Sequence, residues 1–256
     1  MINEHATIHP HAKIAAGVSI GPNSFIGENV EIGENTWIGP HVVIQGPTQI
    51  GENNKIFQFA SIGNDPQDIT YNGEPTQLKI GDNNIIREYC MISRGTTKGG
   101  GITQIGHHNF LMAYSHIGHD CFVGDHVIMI NYAALSGHVN VEDYAIIGGY
   151  SAIHQFCRIG AYAFIAAATY VGKDVLPYLM ISGTVASPCG INTVGLRRRS
   201  FTAQTIDNLR RAYKIIFRKG FTIQQAITEL EMMQIECPEI IPMIDGLNQS
   251  TRGIVR

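Results

Sequence analysis

The chain has 256 residues, 44% of them hydrophobic, with 18 Lys and Arg against 21 Asp and Glu. A net charge of −3 gives no bulk sign of nucleic-acid binding, and no run of 18 apolar residues exists to form a membrane-spanning helix. The five cysteines (Cys90, Cys121, Cys157, Cys189, Cys237) are far apart and form no CxxC pair, which argues against a disulfide framework and for a reducing compartment. The opening MINEHATIHPHAK is polar and lacks a signal-peptide apolar stretch, so a cytoplasmic protein is expected.

From residue 8 an aliphatic residue recurs at every sixth position: Ile8, Ile14, Ile20 and onward to Ile62, then Ile80 to Ile92, then Ile105 to Val171. Glycine often follows it, as in IGENVE and IGENTW. A period of six matches neither the helical 3.6 nor the two-residue alternation of a long strand. It predicts a short extended segment, then a corner, repeated. Three such units make one coil of a parallel β-helix, so about 18 residues return the chain to the same side. Gly, Asn and Asp near the corners are expected to supply the positive φ of sharp bends. Two stretches break the beat: GNDPQDITYNGEPTQLK at 63–79 and SRGTTKGGGITQ at 93–104. Both are polar and rich in turn formers, so both are expected to leave the prism as loops, where solenoids often build their binding face.

After Val171 the beat fades, and from about residue 200 the pattern is helical. Thr202 is placed to N-cap a helix with Ile206, Leu209, Tyr213 and Ile216 on one face and Gly220 at its C-terminal stop. Thr222 and Gln225 have capping-box spacing for a second helix, and Pro238 suits the first turn of a third. The chain thus reads as an all-β domain over 1–190, a parallel β-helix, and a small α-helical domain over 191–256 that would cap the open end of the stack.

The stretch SHIGHDCFVGDH, residues 115–126, carries three histidines, a cysteine and two aspartates. His119, His138 and His154 are 19 and 16 residues apart, near the coil length, so they should lie near one side on three successive coils. His116 falls near a corner beside His119. Asp120 adjoins His119, and neighbours in extended chain point opposite ways, so the two meet only if a corner lies between them. A carboxylate there fixes an imidazole tautomer and raises its basicity. Gly137 precedes His138, and its N–H can approach a reacting oxyanion closely. Three readings stay open on these residues alone: solvent-facing histidines, a three-histidine zinc site of the kind a trimeric β-helix carbonic anhydrase uses, and a general base.

Several stretches together carry a resemblance that runs end to end: QFASIG (58–63), QDITYNGEPT (67–76), RGTTKGGGIT (94–103), HIGHDC (116–121), SGHV (136–139), AIIGGYSAIHQFC (145–157) and STRGIVR (250–256). In these the chain resembles the acyl-[acyl-carrier-protein]–UDP-N-acetylglucosamine O-acyltransferases. The resemblance implies a left-handed β-helix that assembles as a homotrimer with sites between subunits. It implies transfer of a (3R)-3-hydroxyacyl chain from acyl carrier protein to the 3-hydroxyl of UDP-N-acetylglucosamine, the first step of lipid A biosynthesis. It implies no metal and no cofactor beyond the phosphopantetheine that carries the acyl group. Matched residue by residue, His119 takes the role of general base, Asp120 of its partner, and the Gly137 N–H of oxyanion donor. Asp68, His116, His138, His154, Gln155, Asn192, Arg198 and Arg199 match substrate-binding positions. Ala167 matches the position that limits acyl-chain depth, often Gly in members that take longer chains, so a shorter chain is expected here. Thr70 and Val185 depart from the pattern, standing where Lys and His are usual; neither touches the proposed base. Arg211, Lys214 and Arg218 form one helical stripe after the Arg197–Arg199 run, either a dock for an acidic carrier protein or a solvated face. Beside the main reading stand a 3-amino-sugar variant of the same enzyme, a zinc carbonic anhydrase-like trimer and a non-catalytic scaffold.

Overall fold

The computed structural model describes residues 1–256. Strands of mostly two residues alternate with corners and build three sheets of nine, eight and ten strands, parallel except at the last strand. Strands three apart in sequence are neighbours through most of each sheet, so the chain winds continuously around a triangular prism, a parallel β-helix, in the left-handed form that the resemblance implies. The aliphatic beat sets the register. Ile8 pairs with Ile26, Ile26 with Ile44, Ile44 with Ile62, and the same column runs on through Ile92, Ile117, Leu135 and Ile153 to Val171. These side chains point inward and are buried along nearly the whole column, which makes the prism interior one continuous core.

Both inserts leave the prism, but by less than their sequence suggested. Gln77–Ile80 and Ile102–Ile105 are already strand and pair with each other in register. The reason is alternation: Leu78 and Ile80, like Thr103 and Ile105, point inward and are buried. The excursions proper therefore span about 65–76 and 94–101.

The corners correct a second expectation. Except at Gly63, where the first excursion begins, the glycine after the aliphatic residue is not at positive φ. It is there because the next coil lies too close for a Cβ: one built on Gly33 would stand 2.6 Å from the carbonyl of Gly51, and one on Gly81 2.6 Å from the Gly106 oxygen. The left-handed position comes two residues later and is filled by Asn in the early coils (Asn23, Asn29, Asn35, Asn53, Asn83) and by rings in the later ones, such as Tyr114, His126, His138 and Tyr150. The rings stack coil on coil, with Tyr89, Tyr114, Tyr132 and Tyr150 in steps of 4.7 Å.

The last strands depart from the winding. Leu179–Ser182 still pairs parallel with Phe164–Ile165, but Ser187–Ile191 folds back on it antiparallel. Four helices follow: α1 (Thr193–Arg198), α2 (Ala203–Arg218), α3 (Ile223–Met233) and α4 (Ile241–Gln249). Thr202 caps α2 through the Thr205 amide, Gly220 is left-handed just beyond its end, and both bonds of the Thr222–Gln225 capping box are present. Ile206, Leu209, Tyr213 and Ile216 form the buried face of α2, as expected. Two details differ. Arg197 and Arg198 lie inside α1 rather than in a run before the first helix, because Asn192 N-caps that turn through Gly195. Pro238 opens a 3₁₀ turn that leads straight into α4.

The contrast between the two corner positions is measurable. Gly33→Ala should destabilise the protein by about 1–3 kcal/mol, because neither backbone can retreat. Asn35→Gly, at a left-handed corner, should change stability by less than about 1 kcal/mol. Denaturant unfolding of the two variants checks this.

Candidate active site

The corner between the nine- and eight-stranded sheets gathers the candidate residues. The strand His116–Ile117 enters it and Phe122–Val123 leaves it. Asp120 sits at the left-handed position with φ 59°, so the chain reverses between His119 and the following strand. That bend lets adjacent side chains meet: His119 Nδ1 lies 2.8 Å from Asp120 Oδ2. A carboxylate only accepts, so Nδ1 carries the proton and Nε2 is left as the basic nitrogen. The Asp120 side chain is fully enclosed and that of His119 is 16% exposed.

One coil on, His138 occupies the position equivalent to Asp120, also left-handed, and its amide donates to the His119 carbonyl at 2.9 Å. Its ring is perpendicular to that of His119 with centroids 5.1 Å apart, and its Nε2 is 3.7 Å from Asp120 Oδ2. Gly137 lies directly under His119: a Cβ there would be 2.5 Å from the imidazole Cε1. Gly137 is therefore needed to seat the ring, and no acceptor within the chain takes its N–H.

His119, His138 and His154 all lie along this edge on successive coils, but not as one stack of rings. The third corner position is Phe156, stacked on His138 at 4.4 Å. His154 stands two residues earlier, at the end of its strand. Its Nδ1 faces the Gln155 carbonyl at 3.1 Å and the Arg252 guanidinium at 3.3 Å, and its ring meets Tyr170 edge-on. Gln155 beside it is exposed.

The two excursions converge on this corner. Asp68 Oδ1 accepts from both the amide and the hydroxyl of Thr70 at 2.8 Å, and these bonds hold its carboxyl below the usual range, with Lys98 and His119 adding electrostatically. Lys98 of the second excursion donates to the Thr70 hydroxyl at 2.7 Å, so the departure at Thr70 serves as a link between excursions. Thr96 donates twice to Asp120, through its amide at 2.7 Å and its hydroxyl at 2.6 Å. Sequence reasoning missed Thr96; the only signal was its place in the RGTTKGGG segment. His116 is half-buried, and its Nδ1 is enclosed without a hydrogen-bond partner.

The remaining candidates lie on the other two edges of the same chain. Asn192 donates to the Tyr162 carbonyl at 2.9 Å and, with Arg198, borders a cavity of about 420 Å³ against Ile146, Phe164 and Met180. The Arg199 guanidinium lies 4.5 Å over the Tyr144 ring. Both tyrosines belong to the corner between the eight- and ten-stranded sheets. Ala167 is exposed at the third corner, just before left-handed Ala168. Val185 is exposed in the turn between the last two strands, and Arg211, Lys214 and Arg218 are exposed on α2.

One donor atom each of His119, Asp120 and His138 lie within 4.8 Å of one another, a spacing that can hold a metal ion, as do donor atoms of His9, His11 and Glu28 at the other end of the stack. In the first trio the His119 and Asp120 atoms already satisfy each other and Thr96 adds a donor to the same carboxylate oxygen, an arrangement suited to proton transfer. Cys121 is buried with its thiol pushed up to about 12 by burial, which makes it a packing residue rather than a nucleophile.

Burial lowers the pKa of His116, with His119 adding to the effect; it also lowers that of His138, where Asp120 opposes and His119 assists. Below the unfolded value of about 6.5 the unfolded chain then binds more protons than the native one, so stability falls as pH falls. The denaturant midpoint should drop between about pH 7.5 and about pH 5.5, and His116→Gln should blunt that drop.

A family model described as UDP N-acetylglucosamine O-acyltransferase, domain 2, matches residues 174–255, and one described as bacterial transferase hexapeptide (six repeats) matches residues 1–34 and 29–56. The acyl-[acyl-carrier-protein]–UDP-N-acetylglucosamine O-acyltransferase of Saccharophagus degradans is 50% identical over 255 residues, covering 100% of this chain and 99% of that protein. That of Stutzerimonas stutzeri is 48% identical over 256 residues, with 100% and 99% covered. The solved structure of the UDP-N-acetylglucosamine acyltransferase of Francisella novicida superimposes with a TM-score of 0.98 at 47% identity, covering 100% of this chain and 94% of that one.

Proposed function

The chain belongs to the acyl-[acyl-carrier-protein]–UDP-N-acetylglucosamine O-acyltransferases, and on that premise we propose that His119 is the general base of the acyl transfer for which the family is named. The reaction moves a 3-hydroxyacyl chain from acyl carrier protein to the 3-hydroxyl of UDP-N-acetylglucosamine in lipid A biosynthesis. The observation that carries the assignment is the His119–Asp120 pair, with Nδ1 tied to the carboxylate at 2.8 Å and Nε2 left free over Gly137.

A sugar hydroxyl is a poor nucleophile at neutral pH. His119 Nε2 takes its proton as the oxygen attacks the thioester carbonyl. Asp120 stabilises the imidazolium that forms. The Gly137 N–H, free of other acceptors, donates to the oxyanion of the tetrahedral intermediate. Collapse breaks the C–S bond, and the imidazolium returns its proton to the departing phosphopantetheine thiolate. Neither a metal nor a protein thiol is required in these steps.

Asp68, His116, His138, His154 and Gln155 line one edge of the prism, while Asn192, Arg198, Arg199 and Ala167 lie on the other two. One chain does not present them to a single ligand. A homotrimer, in which this edge of one subunit faces the next subunit, brings residues of both sets to one substrate and fits the family. The exposed Arg211, Lys214 and Arg218 stripe suits an acidic carrier protein. No helix is long and apolar enough to cross a membrane, and a cytoplasmic location fits the five free thiols.

His119→Ala should lower kcat by about 10²–10⁴-fold with assembly unchanged by sedimentation; near-parental activity in an acyl-transfer assay would remove His119 as the base. With acyl carriers of graded length, the parent should prefer a shorter hydroxyacyl chain than Ala167→Gly does, read by mass spectrometry of the products. Preference of the parent for the longest chain would sink the role given to Ala167.

A further inference from the structure

The RGTTKGGGIT segment, from Arg94 to Thr103, has no part in the chemistry set out above, yet it makes most of the contacts to the Asp120 carboxylate. An enclosed carboxylate needs donors, and this one has no exposed surface. Of its three short hydrogen bonds, two come from Thr96: the amide to Oδ1 at 2.7 Å and the hydroxyl to Oδ2 at 2.6 Å. The third is His119 Nδ1, on Oδ2. Gly99 lies flat against the same group, where a Cβ would stand 2.1 Å from Asp120 Cγ. The turn closes on Thr96 itself, whose carbonyl accepts from the Gly99 and Gly101 amides at 3.0 and 2.8 Å. At the far end of the segment the Thr103 hydroxyl accepts from the Asp120 amide at 2.8 Å.

The segment is also held from behind. The Arg94 side chain, 8% exposed, donates to the carbonyls of Gly46 and Gly63 at 3.0 and 2.6 Å and to the Tyr71 hydroxyl at 3.1 Å, and pairs with Asp65. The first turn of the excursion is thereby fixed to the prism two residues before Thr96.

Asp120 Oδ2 has two histidines within reach, His119 at 2.8 Å and His138 at 3.7 Å. A freely turning carboxylate would serve either. Thr96 holds both oxygens and leaves Oδ2 directed at His119. We propose that Thr96 is the positioning residue that commits Asp120 to His119 rather than to His138, so that the second excursion works as a clamp on the catalytic pair. The inference rests on the reading of His119 as base.

Thr96→Val keeps the shape and the amide but removes the hydroxyl donor. It should lower kcat by about 10–100-fold, with KM for UDP-N-acetylglucosamine changed by less than about two-fold. The acid limb of the pH profile of kcat/KM should move to lower pH, because a carboxylate free to turn toward His138 holds the imidazolium proton of His119 less strongly. Thr96→Ser should restore both. Parental kcat with an unmoved acid limb overturns the proposal. So does a loss that serine fails to rescue, or one that appears only as a rise in KM, since neither follows from the hold of the hydroxyl on Asp120. Gly99→Ala, which presses a methyl onto the same carboxylate, is a second arm should the valine variant not fold: its acid limb should also move, and an unmoved limb overturns the proposal. His119→Ala separates the two readings. If it stays active, the base assignment fails and the clamp with it; if it is inactive while Thr96→Val is parental, only the clamp fails.

Discussion

The structure depends on one constraint: each coil must lie on the one below closely enough for every short strand to pair with its counterpart. The sharp corners this requires take a left-handed residue, and for residues other than glycine such a backbone costs of order 1 kcal/mol or more. The chain accepts that cost at Asn in the first coils and at His, Tyr and Phe in the later ones. The rings recover much of it by stacking on one another up the edge, as Tyr144 does between His126 and Tyr162 at 4.6 and 4.9 Å. An edge of the prism is therefore a ladder of side chains whose spacing is set by backbone pairing rather than by the side chains themselves.

The candidate active site is one such ladder with its rings partly replaced by ionisable groups. Asp120, His138 and Phe156 take successive left-handed positions. The strained corner does two jobs here. It turns the chain, and it brings together two adjacent residues, His119 and Asp120, that an extended backbone would hold apart. The glycine that the coil spacing demands elsewhere recurs as Gly137, where the group it makes room for is the imidazole. What is added to the ladder is the pair of excursions, which supply Thr96 and Asp68 and enclose a carboxylate that would otherwise be solvated.

Much of this was legible in the sequence. The beat from Ile8 to Val171 gave the coils, their length and the inward column, because burial of one residue in six leaves no other periodicity that fits. Thr202, Thr222 and Gly220 marked helix ends through capping chemistry that depends only on local backbone. The pairing of His119 with Asp120 could be stated only conditionally, since it hinges on which residue of the corner is left-handed; the glycines drew attention to the wrong position. The same uncertainty of two residues hid that Phe156, not His154, takes the ring position over His138. Thr96 was not legible at all. Its contact with Asp120 crosses 24 residues and depends on how a looped segment folds back, which no periodicity records.

The winding also sets the units in which such a chain can gain or lose length. Removing six residues from a regular part of the stack would rotate everything above by one face, carrying His138 away from the edge that holds His119; removing 18 would shorten the prism by one coil and leave the upper edges aligned. The excursions escape this arithmetic. They lengthen the repeat from six to 18 residues between Ile62 and Ile80, and from six to 13 between Ile92 and Ile105, so they add 12 and seven residues. Seven is not a multiple of six. Because each excursion leaves and rejoins the same edge, its length is free of the coil quantum, and new contacts to a ligand can be gained there without turning any part of the prism against the rest.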